Sequence, residues 1–297
     1  MPEVSIIIPT YNSAQYLTDA IDSVLGQTVG DLEVLVIDDG STDNTESVMR
    51  RYAGSVRYIR QENRGVAAAR NRGIAESLGR YVAFLDADDT WLPDKLERQI
   101  NALGARPDKR FCYTAFTLVT ADLSPLGIVR SNRHGAALED LLMNGNVVGS
   151  ICTVLCERSL FETSGGFDQG LSQCADWDMW VRLAALTEFL YLDQPTVTYR
   201  QHDSNMSHNA PLLEHDSLRV LKKGFSLPEV PDALRAKRHV AFARNDMVLA
   251  GTYFHAHLYR DFLRCATRSV WTDFRQLSYL FGFPVRIMKR ARPRQAS

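Results

Sequence analysis

Apolar and polar positions along this chain alternate between two periods. Residues 4–8, Val-Ser-Ile-Ile-Ile, form a short apolar run that stops at Pro9, the pattern of a buried strand. After Thr10-Tyr11-Asn12, with Asn12 as the cap, Tyr16, Leu17, Ala20, Ile21, Val24 and Leu25 recur at helical spacing, and Gly26 fits the helix end. Residues 33–37 predict a second strand, which runs into Asp38-Asp39-Gly40-Ser41-Thr42-Asp43. Gly40 permits a sharp turn there, and Ser41 or Thr42 caps a helix over residues 43–52. A third strand at 56–59 leads through Asn63-Arg64-Gly65 to a helix over 66–77, which Gly79 ends. The next strand, 81–85, runs straight into Asp86-Ala87-Asp88-Asp89.

Regular alternation of strand and helix predicts an α/β fold, a mostly parallel sheet with helices on both faces. In such a sheet the acids that end two strands, Asp38/Asp39 and Asp86/Asp88, share one edge, where open α/β sheets bind ligands. If the chain stays extended, Asp86 and Asp88 point the same way, and two carboxylates suit a hard ion such as Mg2+ or Mn2+. A diphosphate needs that ion, a pyrimidine ring offers N–H donors to Asp38 and Asp39, and Arg70 supplies positive charge to the phosphates. A polar turn with a helix cap is the plainer account of Asp38 and Asp39, and a solvated helix face that of Arg70.

The second half predicts a helix to about residue 103, a strand at 111–120, a turn at 122–127 with a partner strand at 128–129, and a short helix at 138–143. Residues 152–156 are apolar and predict a buried strand, and Ser159 caps the helix after it. From Asp176 a helix shows one apolar face of Trp177, Trp180, Val181 and Ala184. Asp176 and Asp178 in its first turn favour the helix dipole. Strands at 189–192 and 195–198 lead to Tyr199-Arg200-Gln201-His202, and the polar stretch 203–210 suits a lid over the site. Beyond it the pattern is helical at 212–223, 232–249 and 253–267. Phe274, Leu277, Leu280 and Phe281 then make an apolar stripe, followed by Arg286, Lys289, Arg290, Arg292 and Arg294 without an acid. That pattern fits either a segment lying on anionic lipid or a packed helix with a solvated basic tail.

Composition narrows the classes. A net charge of −1 steers nothing toward nucleic acid. Five cysteines, an odd number without C-x-x-C spacing, predict free thiols rather than a zinc site. Met1-Pro2-Glu3 opens no secretory signal, and no apolar run reaches the roughly 18 residues of a spanning helix. The expectation is a soluble or peripheral protein, cytoplasmic or at the inner face of the membrane.

Four segments together resemble the family-2 glycosyltransferases of GT-A fold. They are Ile6-Ile7-Ile8-Pro9-Thr10-Tyr11-Asn12, Val36-Ile37-Asp38-Asp39-Gly40-Ser41-Thr42-Asp43, Asn63-Arg64-Gly65 with Ala69-Arg70-Asn71, and Phe84-Leu85-Asp86-Ala87-Asp88-Asp89. The likeness is close over about the first 100 residues and looser to about residue 205. It implies a GT-A domain over 1–210, with a nucleotide-binding half at 1–105 and an acceptor half at 106–210, and a helical extension at 211–297. Pro9, Thr10 and Tyr11 match the loop that touches the nucleoside, and Asp38 and Asp39 the pair near base and ribose. Arg70 matches the arginine facing base or phosphate. Asp86 and Asp88 match the D-x-D motif, with Asp88 the direct metal ligand and Asp86 shared between nucleotide and metal. Asp89 receives no role. Asp176 falls on the catalytic base of the family's E-D motif, although Ala175 stands where members often have Glu, and Asp178 is the fallback. His202 matches a contact to phosphate or metal.

The implied reaction is inverting transfer of a hexosyl or hexosaminyl group from a UDP-, dTDP- or GDP-sugar to an acceptor hydroxyl, with Mn2+ or Mg2+. The acceptor is a lipid-linked glycan, a polysaccharide end or a protein, in the synthesis of a polysaccharide or glycoconjugate. Two alternatives compete. A sugar nucleotidyltransferase needs a Gly-rich basic loop after the first strand, where this chain has Pro9-Thr10-Tyr11-Asn12. A non-catalytic sugar-nucleotide-binding protein would lose an acid at 86, 88 or 176, and all three are present.

Overall fold

The computed structural model describes residues 1–131, 137–202 and 209–281. Among them the chain divides into two compact units, one of residues 1–141 and 146–206, the other of residues 142–145 and the chain from 207 onward.

The first unit is built on β1 (Val4–Thr10), α1 (Ala14–Leu25), β2 (Leu32–Asp38), α2 (Thr45–Met49), β3 (Arg57–Arg60), α3 (Val66–Glu76) and β4 (Tyr81–Phe84). There follow β5 (Thr90–Trp91), α4 (Lys95–Gly104), β6 (Phe111–Thr120), β7 (Pro125–Val129), α5 (Ala137–Asn144), β8 (Leu155–Glu157), α6 (Ser159–Ser164), α7 (Ala175–Ala184) and β9 (Phe189–Gln201). The described strands form one sheet in the order β3-β2-β1-β4-β8-β6-β9-β5, with β7 on β6. β1 pairs in parallel with β2 and β4, β2 with β3, and β6 with β9. The short β8 runs antiparallel to both β4 and β6, so it joins two parallel blocks that point the same way. The carboxyl ends of β1, β2, β4, β6 and β9 therefore share one edge. Every residue of β1 and of β4 is buried, as strands covered on both faces require. α3 lies close over β1: a Cβ on Gly73 would meet Ile7 Cγ2 at 2.4 Å.

Several local expectations are corrected. Pro9 does not stop β1, which continues to Thr10. The Ile7 carbonyl accepts from Leu85 N–H, so Pro9, two residues on, turns its donor-less nitrogen to the side where β4 has already ended. Asn12 does not cap α1. The Ala14 N–H goes instead to Asp43 Oδ2 at 3.0 Å, from a loop 29 residues away. Nor does Ser41 or Thr42 cap α2, whose Thr45 N–H donates to Asp43 Oδ1 at 3.0 Å. Residues 152–156 are not one strand, because a 3-10 turn at Ile151–Thr153 precedes β8, and Ser159 lies inside α6. The strands at 189–192 and 195–198 are a single β9, whose register against β6 shifts beside Pro195.

The second unit is helical: α8 (Ala210–Gly224), α9 (Asp232–Arg235), α10 (Arg238–His255), α11 (Tyr259–Thr272) and α12 (Leu277–Phe281). The expected helix 232–249 is split, with the Arg235 guanidinium on the Phe225, Leu227 and Val230 carbonyls before the break. The expected 253–267 helix starts only at Tyr259, after His257 with φ of 59°. Leu249, Ala250, Tyr253, Cys265 and Ala266 form its core with Ala210. Beside it, Glu214 accepts from Arg264, Arg268 and Tyr253, which holds its carboxyl down at about 2. All five cysteines are free and buried. No helix among the described residues is long and apolar enough to cross a membrane. The lid expected at 203–210 lies outside the described residues except for Asn209, which caps α8, and Ala210, which begins it. Arg286, Lys289, Arg290, Arg292 and Arg294 also lie outside them.

Candidate active site

The β2 loop is folded around its own acids. Asp38 is fully buried. Its Oδ1 accepts from Ser41 N–H at 2.8 Å and its Oδ2 from the Tyr58 hydroxyl. Asp39 accepts from Gln61 Nε2 (2.8 Å), Arg64 N–H (3.0 Å) and Gly65 N–H (2.7 Å). Gly40, at φ of 81°, makes the turn between them, and a Cβ there would stand 3.0 Å from Asn63 N. Asp39 thus draws Arg64-Gly65 onto the end of β2 and fixes the start of α3, while Asp38 holds the turn itself. Asn12, itself at φ of 49°, ties in the β1 loop by accepting from Thr42 N–H at 2.8 Å. Beside it, Thr10 Oγ1 is buried without a hydrogen-bond partner and Tyr11 is about half exposed.

β4 ends at Phe84, and Asp86 to Asp89 close a turn, with Asp89 N–H on the Asp86 carbonyl at 3.1 Å. The extended conformation expected for Asp86 and Asp88 is therefore not formed, and the two acids take different partners. Asp86 Oδ1 accepts from Arg70 Nη2 at 2.8 Å. Asp88 Oδ2 shares a hydrogen bond with His202 Nε2 at 2.8 Å, and the His202 ring stacks on Tyr16 with centroids 5.2 Å apart. Asp89, which the sequence left without a role, is a strut. Buried, it accepts from Arg200 N–H at 2.9 Å and from the Cys152 thiol at 3.1 Å, joining the turn to β9 and to the 3-10 turn before β8.

Asp176 opens α7. Its Oδ2 accepts from Asn146 Nδ2 at 2.8 Å and its Oδ1 from Trp177 N–H at 2.7 Å. Asp178 is 2% exposed and accepts from Arg182 Nε at 3.0 Å and Nη2 at 2.8 Å, while Arg182 also holds the Ser164 and Gly166 carbonyls. Asn71, next to Arg70, grips Phe167 by both backbone groups: its Nδ2 donates to the carbonyl at 2.9 Å and its Oδ1 accepts from the N–H at 2.7 Å. The Arg70 guanidinium lies 5.7 Å from the centre of the Phe167 ring. Asn146 and Asn71 were missed as functional residues. Asn71 stands inside a motif segment, but no local signal marks a contact 96 residues away.

Burial pushes the Asp88, Asp89 and Asp176 carboxyls above the usual range. At Asp88 the neighbouring Asp86 adds to the rise and His202 opposes it. At Asp176 the rise is opposed by Arg70, Trp177 N–H and Asn146. Burial disfavours the Arg70 cation, but Asp86, by charge and by hydrogen bond, and Asp176, by charge, outweigh it and hold the cation. An anion entering here meets Arg70 between two carboxylates and an acidic turn, a field that calls for a cation. One atom each from Asp86, Asp89 and Cys152 converge within 4.8 Å. Asp89 and Cys152 already satisfy each other, and burial keeps the Cys152 thiol protonated. Asp88, in the same turn, and its partner His202 offer a carboxylate and an imidazole beside that group.

The sequence model described as glycosyl transferase family 2 matches residues 5–118. An uncharacterized glycosyltransferase of Rickettsia typhi is 33% identical over 230 residues, covering 75% of this chain and 71% of the relative. The chain belongs to glycosyltransferase family 2. Chondroitin synthase of Escherichia coli is 29% identical over 222 residues, 70% of this family-2 chain and 30% of the synthase. Two solved structures share the fold. S. aureus TarS 1-349 in complex with UDP-GlcNAc gives a TM-score of 0.61 at 18% identity, covering 93% of this chain and 92% of that 1-349 chain. The mannosyltransferase PcManGT of Pyrobaculum calidifontis, in complex with GDP-Man and Mn2+, gives 0.60 at 20% identity, covering 98% of this chain and 88% of that one. This family-2 glycosyltransferase accordingly has the GT-A fold that its sequence implied.

Proposed function

We propose that this glycosyltransferase moves a hexose or hexosamine, with inversion, from a nucleoside diphosphate sugar to an acceptor hydroxyl, and that it does so with a divalent metal. The observation that carries the reading is the cluster of charge at the sheet edge: Asp176 and Asp86 both act on Arg70, and Asp88, in the same turn as Asp86, pairs with His202. Names among the relatives and neighbours, chondroitin synthase and proteins bound to UDP-GlcNAc or GDP-Man, support a nucleotide-sugar donor and a polysaccharide or glycoconjugate product. UDP, dTDP and GDP remain the candidate carriers, and a lipid-linked glycan is one candidate acceptor. Peripheral contact with the inner face of a membrane, through the basic segment after Phe274, belongs to the same proposal.

In this reading Thr10 and Tyr11 meet the nucleoside, and Arg70 holds the diphosphate. Asp38 and Asp39 act from behind, shaping the loop that the nucleoside rests on. Asp86, Asp88 and His202 would hold Mn2+ or Mg2+, which when bound offsets the charge that builds on the leaving diphosphate. Asp176 accepts the proton of the attacking hydroxyl. Its raised carboxyl is a stronger base than a solvated aspartate, and hydrogen bonds on both oxygens fix its orientation. Asp178 cannot serve in its place, being committed to Arg182.

The deciding experiment measures nucleoside diphosphate release from UDP-, dTDP- and GDP-sugars with Mn2+, for the wild type and Asp176→Asn. The variant should lose transfer and keep nucleotide binding in a thermal-shift assay. Near wild-type turnover by the variant would overturn the assignment of the base.

A further inference from the structure

One surface of the second unit has no part in this chemistry. On α11, Cys265, Ala266 and Ser269 face inward, and Ser269 Oγ donates to the Ala243 carbonyl at 2.6 Å. The other side carries Leu263, 61% exposed, and Trp271, 86% exposed, with Phe274 at 73% in the turn that follows. Single exposed apolar residues are ordinary, but here Leu263 and Trp271 lie about two turns apart on one side of α11, with Thr267 between them, and Phe274 follows within three residues, so three large apolar side chains meet water along one short run of chain. The protein has four tryptophans, and the other three, Trp91, Trp177 and Trp180, are at most 6% exposed.

The sequence that continues from this stripe is cationic. Residues 274–297 contain Arg275, Arg286, Lys289, Arg290, Arg292 and Arg294 and no Asp or Glu, in a chain whose net charge is −1. Arg275 is itself 72% exposed and pairs with Asp273 Oδ1 at 2.8 Å, so the unbalanced charge comes from the five basic residues after it. A second copy of the chain would bring the same excess of positive charge, and like charges repel. An anionic surface would attract these residues, at about 1 kcal/mol per cation near an anionic bilayer.

We propose that the stripe Leu263, Trp271 and Phe274 is a lipid-contacting surface that seats the protein on an anionic bilayer. The indole and phenyl rings enter the headgroup region, where an amphipathic ring is most at home, and the basic residues after Phe274 hold the surface down. Two weak signals, one apolar and one electrostatic, suffice for reversible attachment where either alone does not. The test involves no sugar, so its outcome is independent of the role given to Asp176.

The full chain is mixed with vesicles of phosphatidylcholine, alone or with about one third phosphatidylglycerol, and sedimented. Binding is expected with the anionic vesicles only, with release at about 0.5 M NaCl. Tryptophan emission should shift to the blue on binding, and Trp271→Phe should abolish the shift while binding persists. The double variant Leu263→Glu and Trp271→Glu should bind at least about tenfold more weakly. Its melting temperature without vesicles should be unchanged, since both side chains are exposed. Undiminished binding by the double variant, or wild-type binding without a blue shift, would overturn the proposal. So would concentration-dependent dimerisation that the double variant abolishes, without vesicle binding, which would make the stripe a contact between copies. Should the double variant melt low, the wild-type shift and its loss in Trp271→Phe still decide.

Discussion

Asn146 Nδ2 donates to Asp176 Oδ2 at 2.8 Å, while the backbone N–H of Trp177 takes the other oxygen. The side chain that would serve as base is therefore oriented by a residue 30 positions earlier in the chain. Asn146 stabilises the ionised form of Asp176 against the burial that disfavours it.

Asn146→Ala should lower kcat by about tenfold, the ordinary worth of orienting a general base, with little change in KM for the donor. Loss of the donor raises the Asp176 carboxyl further, so the acidic limb of the pH–rate profile should move to higher pH. Arg70 and Asp86, the charged neighbours of Asp176, are unaltered in the variant and leave that sign unchanged. A flat loss of activity at every pH would point to a structural role instead.

Asp176 and Asp178 should separate in stability as well as in rate. Asp178→Ala removes the buried carboxylate that balances Arg182, leaving it only backbone carbonyls, and should cost about 3 kcal/mol in a denaturant titration. Asp176→Asn should do the reverse. Burial raises this carboxyl in the folded state, so the native protein binds the proton more tightly than the unfolded chain. Ionisation then lowers stability as pH rises through the raised value. The Asn variant should melt higher than the wild type at pH 7.5 in EDTA and lose that advantage toward pH 4.

Lys95 offers a second pH signature, away from the site. It is fully buried against the Trp91 ring, with its Nζ on Gln99 Oε1 at 2.7 Å, and burial pulls its amine down to about 7. An amine lowered in the folded state is penalised wherever it must carry its proton, so stability should rise with pH from about 7 toward 10. Lys95→Met should therefore gain in melting temperature over the wild type at pH 6, and the gain should shrink at pH 9.5.

His202→Ala should weaken the response to metal. With UDP present, the Mn2+ concentration giving half of the thermal stabilisation should rise about tenfold. An unchanged midpoint would remove His202 from the donor set. It would leave the residue a spacer between Tyr16 and Asp88.

Much of this site was legible because parallel-sheet geometry gathers strand ends without help from distant sequence. Asp38 and Asp86 had to share an edge once β1, β2 and β4 were read as parallel. Their internal duties were not legible. Asp38 and Asp39 serve the loop, and Asp43 caps a helix that precedes it in the chain, because hydrogen bonds across loops leave no periodic trace. The short antiparallel β8 and the long β9 through Pro195 were misread for a related reason. Both depend on what lies beside them in the sheet rather than on their own apolar pattern. Asn146 and Asn71 reach their partners across long stretches of chain, and a lone Asn beside a turn looks like any other turn residue.

Arg70 and Asn71 are adjacent on α3, yet one meets Asp86 and the other clasps the Phe167 backbone. On a helix, neighbouring side chains leave about 100° apart, so inserting or deleting one residue before them rotates both off target together. A slip of helix register by one residue would therefore release both grips at once and loosen the Asp86 turn from the Phe167 segment in a single step.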